Sequence, residues 1–220
     1  MKLRSYQRQC VSQTLKAFGQ HRRVLNVLPT GTGKTIVFAE IIRQMTEHGR
    51  ALVVVHRDEL LQQAINKIQQ IANLWPDVEK AAQWADQSWD NWRSKVIVTS
   101  VQTQNAGMNG NGRMTRFKPN DFSILVADEA HRSTSDSWRR VFEWYEQNEN
   151  LRILGCTATP NRSDGAALGQ VFEHCAFSYW LDQAIQDGWL CPVHQTVKHL
   201  EHMDLRKVGK SAGDLNSKEL

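Results

Sequence analysis

Short apolar runs recur along the chain and alternate with segments whose apolar residues have helical spacing. The runs occupy positions 24–28, 51–55, 96–98, 124–127 and 153–156. Strands of a parallel sheet are typically continuous apolar runs of this kind, because helices cover both faces of the sheet. Alternation of such strands with helices is typical of βαβ units. The pattern therefore predicts an α/β fold, with a mainly parallel sheet and helices on both faces.

Three helices are predicted among these runs. The first has its apolar residues at helical spacing, namely Tyr6, Cys10, Val11, Leu15 and Phe18. The second is largely buried and extends from Lys34 to about Met45, and the third has an apolar stripe at positions 60, 61, 64, 65, 68 and 71. The sequence contains no internal repeat. A length of 220 residues fits one large domain, or one domain and a short connector.

A glycine-rich segment, Leu-Pro-Thr-Gly-Thr-Gly-Lys-Thr at positions 28–35, joins the first run to the second helix. Glycine lets the backbone approach a bound group closely, and backbone N–H groups at the start of a helix bind phosphate. In such a loop, Lys34 would reach the β- and γ-phosphates and the Thr35 hydroxyl would bind Mg²⁺. Because Leu28 replaces the first glycine of the usual spacing, a glycine-rich turn without a nucleotide is the alternative. The residues expected to bind ATP in this segment are Pro29, Thr30, Gly31, Thr32, Gly33, Lys34 and Thr35.

An acidic pair, Asp128 and Glu129, directly follows the apolar run at 124–127. Ligands of open α/β sheets gather at the carboxyl ends of strands. Asp128 is therefore predicted to bind Mg²⁺, largely through water, and Glu129 to orient and deprotonate the attacking water. A solvated turn is the alternative, but it does not explain why both halves of a nucleotide site follow strands in the expected order.

These motifs resemble those of the first motor domain of superfamily 2 helicases and translocases of the DEAH-box type. Six segments match in family order, at 3–7, 28–35, 55–60, 99–103, 128–131 and 157–160, and a later helix-and-turn segment matches at 184–190. The resemblance implies a RecA-like P-loop NTPase fold. It also implies ATP and Mg²⁺ as cofactors, with ATP hydrolysis coupled to movement on nucleic acid.

The resemblance implies roles for individual residues of the ATP site. Gln7 would contact adenine, assisted by Arg4 and Tyr6, although Gln7 could also be a surface residue of the first helix. The residues expected to take part in catalysis are Lys34, Asp128, Glu129 and His131. His131 would connect the acidic motif to the segment at 157–160 or to a partner domain.

Further residues would connect ATP hydrolysis to nucleic acid. Thr157 and Thr159 would couple the state of the γ-phosphate to domain movement, unless they form a simple turn before Pro160. The residues expected to contact the nucleic-acid backbone are Arg57, Thr99, Ser100, Gln102 and Thr103. For positions 99–103, an ordinary strand end with helix caps is the alternative.

The form of two motifs favours DNA over RNA as the substrate. His-Arg-Asp-Glu-Leu at 56–60 and Thr-Ala-Thr-Pro at 157–160 resemble RadD-type repair helicases, phage helicases and the motor domains of restriction enzymes more than RNA helicases of the DEAD-box group. The predicted function is an ATP-dependent DNA helicase or translocase that acts on duplex or branched DNA. The motor of a restriction endonuclease, an RNA helicase and a nucleotide-switched binding module are the alternatives.

The domain prediction assigns residues 1–197 to the RecA-like domain and residues 198–220 to a connector. The connector would lead to a second RecA-like domain of the full-length protein, which in the family supplies an arginine finger. Weak hydrolysis is therefore expected from this chain alone. A net charge of +4 is compatible with binding a phosphate backbone. No secretory or membrane-spanning segment is recognisable, so a cytoplasmic protein without a membrane partner is expected.

Two irregular segments have uncertain roles in the sequence. Four tryptophans, at 75, 84, 89 and 92, lie among acidic residues. Aromatic rings can stack on bases, but acidic neighbours repel phosphate, so packing or a surface insertion is favoured. The segment at 105–118 resembles a mobile loop. Its Arg113, Arg116 and Lys118 would contact either solvent or a phosphate backbone.

Overall fold

The computed structural model describes residues 3–56, 58–87, 93–107, 112–159, 168–193, 195, 210–211 and 214–215. Its main unit is a sheet of seven strands that are all parallel. The strands are β1 Arg23–Val27, β2 Arg50–Val55, β3 Asp77–Glu79, β4 Val96–Ser100, β5 Phe122–Asp128, β6 Arg152–Thr157 and β7 His174–Ser178, in the spatial order β3-β4-β2-β5-β6-β1-β7. The predicted α/β class and the largely parallel sheet are confirmed.

Six α-helices accompany the sheet in the part of the chain that the structure describes. They are α1 Ser5–Ala17, α2 Lys34–Met45, α3 Asp58–Ala72, α4 Val101–Asn105, α5 Asp136–Tyr145 and α6 Leu181–Gln186. The first three were predicted. Short 3₁₀ helices lie at Arg113–Arg116, Pro119–Asp121, Ala130–Arg132 and Leu168–Gln170.

The core forms two apolar layers, one on each face of the sheet. Alternate residues of a strand point to opposite faces, so Ala51, Val53 and Val55 of β2 join one layer while Leu52 and Val54 join the other. Buried side chains of α1, α2 and α3 complete the first layer. Those of α4 and α5 complete the second, and strands covered in this way are largely apolar.

The predicted motifs converge because the strands are parallel and end at the same edge of the sheet. The glycine-rich segment follows β1, the acidic pair ends β5, and Thr157 ends β6. Strand β6 pairs with both β1 and β5, so Thr157 lies between the other two motifs. Val27 is level with Thr157, and Asp128 is level with Cys156.

The chain divides into two compact units, Met1–Leu190 and Cys191–Leu220. In the second unit, Lys210–Ser211 and Asp214–Leu215 pair as a short antiparallel ladder. The first unit ends before the predicted boundary at 197, and a connector role for residues 198–220 stays a prediction. None of the described helices combines the length and apolar character that crossing a membrane requires.

Candidate functional site

The segment at 28–35 forms a tight loop between β1 and α2. Gly31 and Gly33 have φ angles of +86° and +85°, in the left-handed region that favours glycine. A Cβ atom at Gly33 would lie 2.8 Å from Gln7 Nε2. Helix α2 begins at Lys34, so the loop lies at a helix N-terminus, where backbone N–H groups and the helix dipole favour phosphate.

Residues of α1 hold this loop from one side. The Tyr6 hydroxyl and Gln7 Nε2 both donate to the carbonyl oxygen of Thr32, at 2.6 and 2.9 Å. The Thr32 hydroxyl donates to Pro29 O at 2.6 Å. Gln7 is buried and its Oε1 accepts from the backbone N–H of Arg4 at 2.9 Å. Gln7 therefore anchors this loop and is not a surface residue, while its predicted contact with adenine stays a prediction.

An aromatic group continues this side of the site. Tyr6 stacks on Tyr179, with ring centroids 4.6 Å apart, and Trp189 lies 5.9 Å from Tyr6. The exposed guanidinium of Arg4 lies over the Trp189 ring, 4.4 Å from its centroid. The segment 184–190 thus packs against the segment 3–7. It borders the loop through Leu190, whose Cδ2 lies 3.1 Å from a Cβ built at Gly31.

The acidic pair has an unusual electrostatic environment. Burial, and then repulsion from Glu129, raise the pKa of Asp128 to about 6, whereas the Glu129 N–H and the Lys34 ammonium act in the opposite direction. The Glu129 N–H donates to Asp128 Oδ1 at 3.0 Å. Glu129 has a φ angle of 55°, a left-handed conformation that is costly for a side chain and is common at functional sites.

His131 joins the acidic motif to the end of β6. Its Nδ1 lies 3.3 Å from Glu129 Oε2 and 3.2 Å from Thr157 Oγ1. The Thr157 hydroxyl donates to Thr159 O at 3.1 Å and accepts from Thr159 N–H at 3.2 Å. Contacts therefore run from Glu129 through His131 and Thr157 to Thr159. Pro160 lies outside the described residues.

The side chains present suit Mg²⁺ bound together with a nucleotide. Mg²⁺ prefers oxygen ligands and is usually held by one or two carboxylates, water and substrate phosphates. Thr35 offers a hydroxyl and Asp128 a carboxylate, on the loop and on the strand end that face each other across β6. Within the described ranges, no group of three or more His, Cys, Asp or Glu residues could hold a metal ion. A site completed by phosphate oxygens fits this donor set.

Most of the predicted nucleic-acid contacts are buried. Ser100 caps α4, since its Oγ accepts from the Thr103 N–H at 3.2 Å and lies 2.9 Å from Thr103 Oγ1. Thr99 Oγ1 accepts from Gln104 Nε2 at 3.2 Å. Only the Gln102 side chain is exposed among these four predicted residues. The cap arrangement given above as the alternative is thus present, and Arg57 lies outside the described residues.

Ion pairs that the sequence analysis does not predict join the two irregular segments. Arg113 is largely buried and Arg116 is partly exposed, and both bind the fully buried carboxylate of Glu79 at the end of β3, with N···O distances of 2.6 to 2.8 Å. The acidic residues near Trp84 are likewise paired, since Arg50 donates two hydrogen bonds to Asp86, at 2.7 and 2.9 Å. Sequence spacing gave no signal for these pairs, which join residues 34 to 37 positions apart.

Comparison with known proteins identifies the family. The ResIII family, described as Type III restriction enzyme, res subunit, matches residues 1–162. The chain belongs to the ResIII family. Among its relatives is IRC3 of Saccharomyces cerevisiae, named as a candidate ATP-dependent helicase, which is 29% identical over 96% of this chain and 31% of its own length. Another is the type I restriction enzyme EcoAI endonuclease subunit of Escherichia coli, 26% identical over 97% of this chain and 26% of its own length.

Solved structures show that this ResIII domain has a RecA-like fold. The nuclease-deletion mutant of the Type ISP restriction–modification enzyme LlaGI, in complex with a DNA substrate mimic, has a TM-score of 0.66 at 18% identity and covers 86% of this chain and 21% of its own. The UvsW helicase of bacteriophage T4 has a TM-score of 0.62 at 19% identity and covers 80% of this chain and 60% of its own. The ResIII match and the named relatives indicate a helicase or translocase motor domain. The chain spans about a third of the length of the IRC3 protein of Saccharomyces cerevisiae and of the IRC3 protein of Schizosaccharomyces pombe.

Proposed function

We propose that this chain is the first motor domain of an ATP-dependent DNA helicase or translocase, which moves on or unwinds duplex or branched DNA. The observation that carries the proposal is the strand order β5-β6-β1. It brings the phosphate loop, the acidic pair and the Thr157 segment to one edge of the sheet, in the arrangement that ATP hydrolysis requires.

The residues of this edge have complementary tasks in the proposed site. Lys34 and the backbone N–H groups of the loop bind the β- and γ-phosphates. Thr35 and Asp128 hold Mg²⁺, which when bound neutralises charge on the phosphate oxygens. Glu129 accepts a proton from the attacking water and orients it. His131 contacts both Glu129 and Thr157, and its Nδ1 lies 3.2 Å from Thr157 Oγ1. Because Thr157 is hydrogen-bonded to Thr159, these contacts couple the state of the γ-phosphate to Thr159 and to a partner domain.

The assignment to DNA and to a two-domain motor draws support from the relatives. The LlaGI structure contains a DNA substrate mimic, and the IRC3 relatives are about three times as long as the part that matches. A second RecA-like domain in the full-length protein would complete the site.

The cytoplasmic location stays a prediction, since the Schizosaccharomyces pombe relative is named as mitochondrial. The EcoAI relative favours the restriction-enzyme motor as the second candidate.

The test is ATP hydrolysis by the full-length protein in the presence of single-stranded, duplex or branched DNA, or of RNA. We expect DNA to stimulate hydrolysis and Glu129→Gln to abolish the stimulated rate while ATP binding persists. Stimulation by RNA alone would overturn the DNA assignment. Absence of stimulation by every nucleic acid would favour a nucleotide-switched binding module.

A further inference from the structure

Trp84 lies on the same side of the molecule as the predicted nucleic-acid motif. It follows β3, whose last residue, Glu79, is level with Thr99 on the neighbouring strand β4. Paired strands are about 5 Å apart. The Arg113 N–H donates to Ala106 O at 2.6 Å, so the segment that contacts Trp84 is also joined to the end of α4. Trp84 is 41% exposed, an uncommon degree for so large an apolar side chain.

The surroundings of Trp84 hold it in place. A tight turn joins Lys80 and Gln83, whose backbones exchange hydrogen bonds of 2.6 and 3.0 Å. Arg113 donates to the carbonyl oxygens of Ala81 and Gln83, at 2.7 and 3.0 Å. Its guanidinium lies 3.6 Å from the Trp84 ring centroid, and that of Arg116 lies 4.6 Å away. Both guanidiniums bind Glu79 Oε1 and contact the indole, which is still 41% exposed.

The local charge does not oppose a phosphate backbone. Within residues 77–87 the acidic side chains are Asp77, Glu79 and Asp86, and each accepts hydrogen bonds from the protein. Glu79 is matched by two arginines and Asp86 by Arg50. Glu79 and Asp86 thus act as internal partners of arginines, while Asp77 accepts from the backbone N–H groups of Val78 and Asp86. An exposed indole backed by guanidinium groups is a surface on which a nucleic-acid base can stack.

We propose that Trp84 stacks on an unpaired base of a DNA strand that crosses the sheet at the carboxyl ends of its strands, beside α4. The inference rests on the proposed DNA-dependent function and adds a contact outside the family motifs. Stacking tolerates any base, because every base has an aromatic face. The contact would thus favour single-stranded or branched DNA over blunt duplex without reading sequence.

The test compares Trp84→Ala, Trp84→Phe and Trp75→Ala in the full chain. Trp75 is 59% exposed and precedes β3, so it lies near the amino end of that strand, whereas Trp84 follows its carboxyl end. Trp75 therefore serves as a matched control. Fluorescence anisotropy would measure affinity for labelled single-stranded, branched and blunt duplex DNA. We expect Trp84→Ala to weaken binding of the first two about 5- to 100-fold and of blunt duplex less than about 2-fold.

Two further readouts separate stacking from a structural role. Trp84→Phe keeps an aromatic face and should bind within about 3-fold of the wild type. The slope of log affinity against log salt should be the same for Trp84→Ala and wild type, since no phosphate contact is lost. Unchanged affinity of Trp84→Ala for single-stranded and branched DNA, or an equal loss of affinity for blunt duplex, would overturn the inference about Trp84 but not the proposed function. Failure of the wild type to bind any of these DNAs would contradict the proposed function itself.

Discussion

Gly33 shows how one residue fixes the geometry of the phosphate loop. It has a φ angle of +85°, and a Cβ atom there would lie 2.8 Å from Gln7 Nε2 and 3.2 Å from Ile36 Cδ1. The first distance is shorter than Cβ contacts in folded proteins. A side chain at position 33 would therefore displace Gln7, whose amide group holds Thr32 O.

The substitution Gly33→Ala should abolish detectable ATP binding and destabilise the fold by about 1–3 kcal/mol, from backbone strain together with loss of the Gln7 contact. Gly188→Ala is a matched control, because Gly188 also has a positive φ of 72° but no atom lies within 4 Å of its Cβ position. Thermal unfolding and binding of a fluorescent ATP analogue measure the two effects. Equal losses of stability and normal ATP binding in both variants would contradict the role given to Gln7.

Asp128 should make the protein less stable above pH 6 in the absence of nucleotide and Mg²⁺. Burial and Glu129 raise its pKa from 3.8 to about 6, so between these values the folded state retains a proton that the unfolded state has released. Stability therefore falls as pH rises from about 4 to 6, and Asp128→Asn should increase the free energy of unfolding at pH 7 by about 2–3 kcal/mol.

Urea unfolding of Asp128→Asn and wild type in a chelating buffer measures this difference at pH 7 and at pH 3.5. The stabilisation should largely disappear at the lower pH, where Asp128 is mostly protonated in both states. A variant less stable than the wild type at pH 7 would show that the ionised carboxylate is not a source of repulsion in this site.

At the level of elements, β3 depends on a buried ion cluster. Glu79 is fully buried, binds Arg113 and Arg116, and accepts from the Ala85 N–H at 2.7 Å. The cluster connects the segment 79–85 to the 3₁₀ helix Arg113–Arg116. A buried carboxylate that is removed leaves its cationic partners unpaired, which costs far more than loss of a surface pair.

Glu79→Gln should accordingly destabilise the protein by about 3–5 kcal/mol. The control is Glu40→Gln, which removes a pair with Arg43, a residue that is largely exposed on α2, and should cost less than about 1 kcal/mol. Chemical denaturation measures both. A loss below about 1 kcal/mol for Glu79→Gln would mean that Arg113 and Arg116 find equivalent partners without it.

The elements also show how far sequence patterns reach. The five predicted strands are largely apolar runs, and each is a central strand of the sheet. The three-residue β3 and the strand β7 are edge strands. β3 has one apolar residue, Val78, and the short apolar stretch of β7 includes the exposed Cys175. The prediction also lacks α5, although Trp138, Val141, Phe142 and Tyr145 have helical spacing and are buried.

Only some features of the candidate site could likewise be predicted from the sequence. Lys34, Asp128 and Glu129 could be assigned because contiguous motifs follow strand ends, and topology then brings them to one edge. The Arg113–Glu79 pair and the burial of Thr99 and Ser100 depend on distant parts of the chain. Such contacts leave no local pattern, so only the structure reveals them.

For the whole molecule, the first unit contains both halves of the proposed ATP site but lacks the second RecA-like domain that we propose for the full-length protein. The arginine finger of such a domain raises hydrolysis rates by about 10³- to 10⁵-fold. The 220-residue chain should therefore bind ATP yet hydrolyse it slowly, with little effect of DNA. Steady-state hydrolysis with and without DNA checks this, and rapid DNA-stimulated turnover by this chain alone would contradict it.

The most direct test of the account is Mg²⁺-dependent ATP binding by the 220-residue chain, measured by calorimetry for wild type, Lys34→Ala and Glu129→Gln. Lys34 is assigned to the phosphates and Glu129 to the attacking water. We therefore expect Lys34→Ala to lose binding by at least about 100-fold and Glu129→Gln to bind ATP as tightly as the wild type. Wild-type affinity in Lys34→Ala would contradict the assignment of this sheet edge as the ATP site.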